Sequence, residues 1–392
     1  MTYQHPKQIQ QTVQHIKDQL SNEPPEETSF ALQPQPHISF AMQKNDSLED
    51  QLVWLSDLTT EQYQVNWLWE GYIAFGEITL LSAFAKMGKT TLYTHLLKAI
   101  ENNQQFLNLD TEPVKTLIVT EESKTTWQSR KENLELEATK TGLISRPFHS
   151  CPTHDQWRDT ITEIRTLCQK HQIKLVVVDT IASLWPAENE NDSREVTKSL
   201  QPLHQLTSNN IAVLLVHHTR KTEGKGGRAT RGSGALTAFV DFVLEIEDGN
   251  SGQNKRVIKA QSRYEDTPKE LVIELTEDGY TALGTHDQIK KNDQIKLITD
   301  HLPKEPESTT LRKVLNTLKI KNVLIDYSTL HRWAQKALNT GMAKIVGKST
   351  DKGTPDLWAK PKESQGDQTV EEAANAIYQG YTSSSNDKQL EI

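Results

Sequence analysis

The strongest chemical signal in the sequence is a Gly-Lys-Thr triplet, Gly88 to Thr90, preceded by an apolar run and followed by a helical pattern. A loop between a strand and a helix can wrap phosphates with its backbone N–H groups, and the helix N-terminus adds partial positive charge. In such a loop the lysine reaches the β- and γ-phosphates and the threonine hydroxyl binds Mg²⁺. The sequence therefore predicts a site for a nucleoside triphosphate. Its binding residues are Ala83, Phe84, Ala85, Lys86, Met87, Gly88, Lys89, Thr90 and Thr91, with Thr90 also predicted as a metal ligand.

One position of this loop departs from the usual pattern G-x-x-x-x-G-K-[ST], because Ala83 stands where the first glycine is expected. Glycine serves a tight turn there, and alanine can replace it only if the backbone keeps a negative φ. We therefore expect Ala83 to adopt a conformation open to any residue. A chance Gly-Lys-Thr in a surface loop is the alternative, and the strand before the loop and the helix after it argue against that alternative.

Two later strand patterns end in acidic residues that suit chemistry on a bound triphosphate. The aliphatic run 175–178 ends in Asp179. A carboxylate at that end of a central strand faces the same crevice as the loop, where it can hold Mg²⁺ directly or through water. The run 116–120 is followed by Glu121 and Glu122, and an acid here can orient or deprotonate the attacking water. Glu121 is the first choice because it is closer to the strand end, Glu122 is the second, and a solvated acidic turn is the alternative.

Polar residues also follow the apolar run 213–216, where His217 and His218 are candidates to contact the γ-phosphate. Ordinary surface histidines are the alternative, and metal binding is not expected because no Cys/His cluster lies near. The glycine-rich loop 222–234 carries Lys225, Arg228 and Arg231. Their charges suit the phosphodiester backbone of DNA, although a solvated loop explains them equally well.

These candidate residues need a scaffold that brings strand ends together, and the pattern of residues 76–283 predicts one. Continuous apolar strands alternate with amphipathic helices, which is typical of a mostly parallel sheet covered by helices on both faces. The predicted fold class is therefore α/β. The strands predicted at 242–247, 255–260 and 271–275 are expected to be antiparallel.

A second, smaller domain is predicted from residue 289 to 361. Helices at 294–301, 309–318 and 327–340 precede short strands at 343–346 and 356–359, which is the outline of a winged helix-turn-helix. The segment 290–362 holds 15 Lys and Arg against 7 Asp and Glu, so DNA is the favoured partner and protein docking is the alternative. Ser328 or Thr329 is expected to cap the third helix. The side chains predicted to meet DNA are His331, Arg332, Gln335, Lys336, Lys348 and Lys352.

Taken in order, these motifs resemble the RecA-like ATPases of the RepA type, which are plasmid and phage replicative helicases and their bacterial relatives. The resemblance covers about residues 52–283 and is carried by 67–71, 85–91, 120–123, 178–180, 217–221 and 231–236. It implies a ring, usually of six subunits, with ATP and Mg²⁺ bound between neighbours. It also implies that Lys89 and Thr90 bind the nucleotide, that Glu121 is the catalytic base, that Asp179 binds the metal and that His218 senses the γ-phosphate.

In such rings an arginine from the adjacent subunit completes the site, and here its assignment departs from the family pattern. The plasmid helicases place it some ten residues beyond the Arg-Gly-Ser element, where this chain has residues 239–242 without an arginine. Related rings use a Lys-x-Arg pair on a late strand, which points to Arg263, with Lys259 as a possible companion. An ordinary surface ion pair of Arg263 with Glu265 or Asp266 is the alternative.

Composition sets the remaining expectations. At 392 residues the chain is long enough for two or three domains. Residues 1–48 and 362–392 are rich in polar residues and are expected to be disordered arms around an ATPase domain at 49–288 and the small domain at 289–361. The chain has no apolar run long enough to span a membrane, no signal pattern and only two cysteines, so a cytoplasmic location is expected.

The sequence thus predicts an enzyme that hydrolyses ATP and acts on DNA, most simply as a replicative helicase. Two other functions keep ATP binding and stay open. The protein could be an ATP-gated DNA-binding regulator or loader that does not unwind DNA, or a recombination mediator that acts on single strands.

Overall fold

The structure, a computed structural model, describes residues 52–57, 64–136, 139–218, 234–249, 254–350, 353 and 355–361. The predicted arms at 1–48 and 362–392 therefore lie outside the described residues. So do Lys225, Arg228 and Arg231 of the basic loop, and Lys352 of the small domain.

The described residues form strands and helices that alternate along most of the chain. The strands are β1 (Trp67–Trp69), β2 (Ile73–Ala74), β3 (Ile78–Ala83), β4 (Lys115–Thr120), β5 (Thr141–Ser145), β6 (Ile173–Asp179), β7 (Ala212–His218), β8 (Phe242–Asp248), β9 (Lys255–Ser262), β10 (Glu270–Thr276), β11 (Gly279–Gly284), β12 (Lys344–Lys348) and β13 (Asp356–Ala359). The α-helices are α1 (Lys89–Glu101), α2 (Lys124–Asn133), α3 (His154–His171), α4 (Ile181–Leu184), α5 (Ser193–Leu200), α6 (His204–Thr207), α7 (Gly234–Phe239), α8 (His286–Thr299), α9 (Leu311–Ile320) and α10 (Tyr327–Asn339). Short 3₁₀ turns cover Leu55–Asp57 and Gln201–Leu203.

Nine strands form one sheet in the order β11-β10-β9-β8-β3-β7-β6-β4-β5. The six strands from β8 to β5 are parallel, and β9, β10 and β11 extend the sheet with antiparallel pairs. The α/β class and the mostly parallel sheet expected from the sequence are therefore confirmed. The expectation for residues 242–247 was wrong in part, because β8 pairs parallel with β3 and antiparallel only with β9. Helix α7 lies in the connection from β7 to β8, and a parallel pair needs such a crossover.

The core lies on both faces of this sheet, as a parallel sheet requires. Strand β6 is buried on both sides, and Val176 and Val177 have no exposed surface. On one face α3 contributes Trp157 and Ile161 to the core, and on the other α1 contributes residues such as Leu96. The helical segment from α5 to α6 is interrupted by a 3₁₀ turn that contains Pro202, which has no N–H to donate.

The last elements form a smaller unit of three helices, α8 to α10, and the antiparallel pair β12–β13. Their side chains make a separate core that contains Ile298, Leu318, Leu330 and Trp358, each almost fully buried. Helix α8 begins eight residues before the predicted start because Thr285 and Gln288 form a reciprocal cap. Asp326 caps α10 by accepting a hydrogen bond from the Thr329 N–H at 2.9 Å, so the predicted capping by Ser328 or Thr329 was wrong. Across the described part of the chain, no helix is both long and apolar enough to span a membrane.

Candidate nucleotide-binding site

The loop between β3 and α1 is built for close approach of a ligand to its backbone. Ala83 is the last residue of β3 and is extended, so the missing glycine at this position costs no backbone strain. Gly88 has a φ of 92°, and a Cβ atom there would come within 2.9 Å of the Tyr280 hydroxyl oxygen. Because Gly88 is also the N-cap of α1 and has no side chain, the first-turn N–H groups receive no cap from it. They are the groups that an anion would contact.

Lys89, the first residue of α1, is 3% exposed and lies inside this loop. Its Nζ donates to the carbonyl oxygens of Ala83 at 2.9 Å and Phe84 at 3.1 Å, and lies 2.8 Å from Nδ1 of His218. Since an ammonium group only donates, Nδ1 of His218 accepts this bond. Burial lowers the pKa of Lys89 to about 8, although nearby Asp179 works in the opposite direction. The positive charge of Lys89 therefore lies among neutral polar groups, and it would gain a full ionic partner when an anion binds beside it.

Asp179 ends β6 next to the first turn of α1 and is 4% exposed. Its Oδ2 accepts hydrogen bonds from the Thr90 hydroxyl at 3.3 Å and the Tyr93 hydroxyl at 2.7 Å. Burial raises the pKa of Asp179, and these two hydrogen bonds oppose the rise. A buried carboxylate beside a threonine hydroxyl is the all-oxygen donor set that Mg²⁺ prefers, so the predicted metal residues do come together and fit the ion.

A magnesium ion at this position would take its remaining ligands from phosphates and water, as Mg²⁺ commonly does. In the part of the chain that the structure describes, no group of three His, Cys, Asp or Glu residues is arranged to hold a metal ion by itself.

The two acids after β4 have different surroundings. Glu121 lies beside the end of β6, where its carboxylate accepts a hydrogen bond from the Thr180 N–H. Burial raises the pKa of Glu121, which suits a group that must take up a proton. Glu122 instead forms a two-point ion pair with Arg130, whose guanidinium lies 4.6 Å from the ring centre of Trp127. This geometry favours Glu121 over Glu122 as the acid that faces the reaction.

The two histidines at the end of β7 also differ. His218 is the residue in contact with Lys89, and burial followed by the lysine charge lowers its pKa. His217 is buried, and its Nε2 lies 3.5 Å from Oε1 of Glu190. Successive strand residues point to opposite faces, so only one of the pair can serve the loop. Of the two, the structure brings His218 to the nucleotide site.

Arg263 lies far from this group, at the opposite edge of the sheet. It follows β9, whose last residue Ser262 pairs with the first residue of β8, and β8 starts beside the amino end of β3. The guanidinium is 69% exposed and lies 3.8 Å from Oδ1 of Asp241, whereas the sequence alternatives were Glu265 and Asp266. Lys259, its proposed companion, forms an ion pair with Glu247.

Two half-buried carboxyls, those of Glu77 and Asp241, lie near Arg263. Oδ2 of Asp241 accepts a hydrogen bond from the Ile78 N–H at 2.9 Å, and Oε1 of Glu77 accepts one from the Tyr264 hydroxyl at 2.7 Å. Burial and the neighbouring Asp241 raise the pKa of Glu77 to about 7. This cluster was not predicted, because its members come from three separated stretches of sequence.

The small domain presents only part of its predicted DNA surface. His331 and Arg332 are exposed on α10, and Lys348 is exposed at the end of β12. Gln335 and Lys336 were expected to point outward but are half-buried. The Lys336 Nζ donates to the Gln294 side chain of α8 at 3.2 Å, because the end of α10 packs against α8.

Comparison with known proteins bears on the nucleotide site. A family model described as an AAA domain matches residues 44–224, slightly less than half of the chain. The match includes the loop, Glu121, Asp179 and His218. The DNA repair and recombination protein RadB of Archaeoglobus fulgidus is 23% identical over 197 residues, which cover 48% of this chain and 82% of RadB. These similarities support a RecA-like P-loop ATPase.

The carboxyl cluster near Arg263 generates a prediction about stability. The pKa of Glu77 rises from 4.5 to about 7 on folding, so between these values the folded protein keeps a proton that the unfolded chain has lost. The free energy of unfolding should therefore fall as the pH rises through this window. In Glu77→Gln this part of the fall should disappear, because glutamine stays neutral. Urea unfolding from about pH 4.5 to 8 measures the effect.

Tyr264→Phe is the matched control, because it removes the hydrogen bond to Glu77 but leaves the titrating carboxyl in place. This variant should keep the fall in the free energy of unfolding. If the free energy of unfolding changed with pH in the same way in the parent protein and in Glu77→Gln, the raised pKa of Glu77 would be contradicted.

Proposed function

We propose that the protein is an ATP-hydrolysing motor that acts on DNA, with helicase action as its leading role. The single observation that carries the ATPase part is the meeting of Lys89, Asp179, Glu121 and His218 at one edge of the parallel sheet. A phosphate-binding loop alone would support nucleotide binding. An acid and a histidine beside it add the groups that hydrolysis needs.

In the proposed mechanism the loop N–H groups and Lys89 bind the phosphates. Thr90 and Asp179 would hold Mg²⁺, which would supply further neutralisation of the phosphate charge. Glu121 orients the attacking water and accepts its proton, which its raised pKa favours. His218 exchanges its contact with Lys89 for one with the γ-phosphate, so it can report whether ATP or ADP is bound.

The first prediction of this proposal concerns Lys89. The protein should hydrolyse ATP, and single- or double-stranded DNA should raise the rate. Lys89→Ala should lower ATP affinity and reduce hydrolysis by about a hundredfold or more, because it removes a charge that acts on the transferred phosphate. ATPase rates with and without each DNA, measured alongside the mass of the assembly, test this.

Lys98→Ala is the matched control, since Lys98 lies on the same helix and its Nζ donates to the Leu134 carbonyl oxygen, away from the loop. It should keep ATP binding and hydrolysis near the parent level. The proposal fails if Lys89→Ala leaves both properties intact.

A ring of subunits is proposed because Arg263 is exposed at the sheet edge opposite its own loop. An arginine in that position can serve only the nucleotide of a neighbour. An assembly that contains only Arg263→Ala subunits, or only Lys89→Ala subunits, should not hydrolyse ATP. Mixing the two should restore part of the ATPase rate, because some interfaces then combine an intact loop with an intact arginine.

Thr90→Ala, mixed with Lys89→Ala in the same way, is the control, because every interface then has a damaged loop and the ATPase rate should stay low. A mixture of the Arg263 and Lys89 variants that stays inactive, although it co-assembles by mass, would count against Arg263 as the completing arginine.

The DNA-binding part of the proposal is supported by the excess of positive charge in residues 290–362 and by the similarity to RadB, a DNA repair and recombination protein. The three helices and strand pair of the small domain would form a winged helix with α10 toward DNA. Charged side chains there would neutralise phosphates and release counterions. Arg332 is exposed on α10 and carries a permanent positive charge, so it is the candidate chosen for the test.

Arg332→Glu should therefore weaken DNA binding several-fold and reduce the slope of log affinity against log salt by about 1 or more. Fluorescence anisotropy at several salt concentrations measures both quantities. The control is Arg158→Glu, an exposed arginine on α3 that pairs with Asp155. Equal affinities and slopes for the two variants would argue that α10 does not contact DNA.

The similarity to RadB favours a second candidate, a recombination mediator that acts on single strands. A mediator would anneal strands or form filaments in the presence of ATP, whereas a helicase would separate a duplex. A gated regulator or loader would bind duplex DNA in an ATP-dependent way without doing either.

A further inference from the structure

The first turns of α1 provide two hydroxyl groups to Asp179, and only one of them belongs to the phosphate-binding motif. Thr90 is the motif residue, and its hydroxyl lies 3.3 Å from Oδ2 of Asp179. Tyr93 lies three positions further on, on the same side of the helix, and its hydroxyl donates to the same oxygen at 2.7 Å. The tyrosine makes the shorter of the two bonds.

Tyr93 is itself held rigidly in place. It is 1% exposed and belongs to the core between the sheet and α1. Its ring centre lies 6.3 Å from that of Trp127, which also supports Arg130. A tyrosine has only two side-chain torsions, so these contacts fix the position of its hydroxyl, and a fixed donor selects one orientation of the carboxylate that it contacts.

The Thr90 hydroxyl cannot supply this restraint throughout the reaction cycle. In the proposed mechanism that hydroxyl turns to Mg²⁺ when the nucleotide binds. Asp179 then loses one of its two hydroxyl partners at the moment when its orientation matters, because Mg²⁺ tolerates little departure from octahedral geometry. Tyr93 coordinates nothing in that mechanism and is free to keep its bond to Asp179.

We propose that Tyr93 is a positioning residue that holds the Asp179 carboxylate in place for magnesium. This inference rests on the proposed function, since it needs a magnesium–nucleotide complex at this edge of the sheet. Bonds from outside the coordination shell are known to orient metal-binding carboxylates, and their loss typically costs ten- to a hundredfold in metal affinity.

The test compares nucleotide affinity with and without the metal, using a fluorescent ADP analogue and the full-length protein. In EDTA, Tyr93→Phe should bind the analogue as tightly as the parent, because the phosphate loop is unchanged. The factor by which saturating Mg²⁺ tightens binding should fall by about tenfold in Tyr93→Phe. The Mg²⁺ concentration that produces half of this tightening should rise by a similar factor.

Tyr264→Phe is a matched control, because it also removes a 2.7 Å bond from a tyrosine hydroxyl to a carboxylate, at the other edge of the sheet. Its Mg²⁺ factor should equal that of the parent. Thermal unfolding of both variants separates a loss of stability from a loss of metal affinity.

A double variant tests whether Tyr93 affects Mg²⁺ binding through Asp179. Asp179→Asn alone should remove most of the Mg²⁺ factor, and adding Tyr93→Phe to it should change nothing further, since the two residues act as one unit. An unchanged or larger Mg²⁺ factor in Tyr93→Phe, or an additive effect in the double variant, would overturn the positioning role. If the parent protein binds the analogue equally with and without Mg²⁺, the proposed function itself fails.

Discussion

The parallel pairing of β3 with β7 and of β6 with β4 is the constraint on which the whole candidate site depends. It sets Ala83 beside His218 and Thr120 beside Asp179, so that four strands end at one edge next to the first turn of α1. A slip of one residue in either pair would turn every side chain of that strand to the opposite face. The valines of β6 do not oppose such a slip, since they are buried on both faces of the sheet, but the slip would take Asp179 away from the hydroxyl groups of Thr90 and Tyr93. The hydrogen bonds at the edge therefore help to maintain the register.

The same edge buries two opposite charges without giving either a full ionic partner. Lys89 is surrounded by carbonyl oxygens and a histidine nitrogen, and Asp179 by hydroxyl groups. Burying a charge among neutral dipoles is unfavourable, which is why the pKa of the lysine falls and that of the carboxyl rises. A phosphate chain beside Lys89 and a divalent cation beside Asp179 would offset both costs at once. The arrangement thus favours a complex of anion and metal over either alone.

What could be predicted from the sequence depended on how local each signal was. The phosphate loop, Asp179 and the parallel strands could be predicted because each is recognisable within a short segment, from its motif or its run of apolar residues. The direction of β8 did not follow, because its pairing with β3 joins residues more than 160 positions apart. Nothing in the sequence singles out Tyr93, since only the position of β6 reveals what its hydroxyl contacts. The half-burial of Lys336 was missed for the same reason, because the packing of α10 against α8 decides it.

The opposite edge of the sheet poses a different physical problem, which a neighbouring subunit would solve. There the rings of Trp67, Phe242 and Tyr264 pack together, with centre separations of 5.1 to 6.0 Å, beneath the carboxyls of Glu77 and Asp241. Arg263, the residue before Tyr264, is exposed there and can present a cation to an external anion. Its weak 3.8 Å contact with Asp241 leaves that cation available, since leaving a stronger partner would cost more. A triphosphate bound at one edge and an arginine without a strong partner at the other would be complementary. Within one chain the sheet keeps them apart, so they could meet only between two copies.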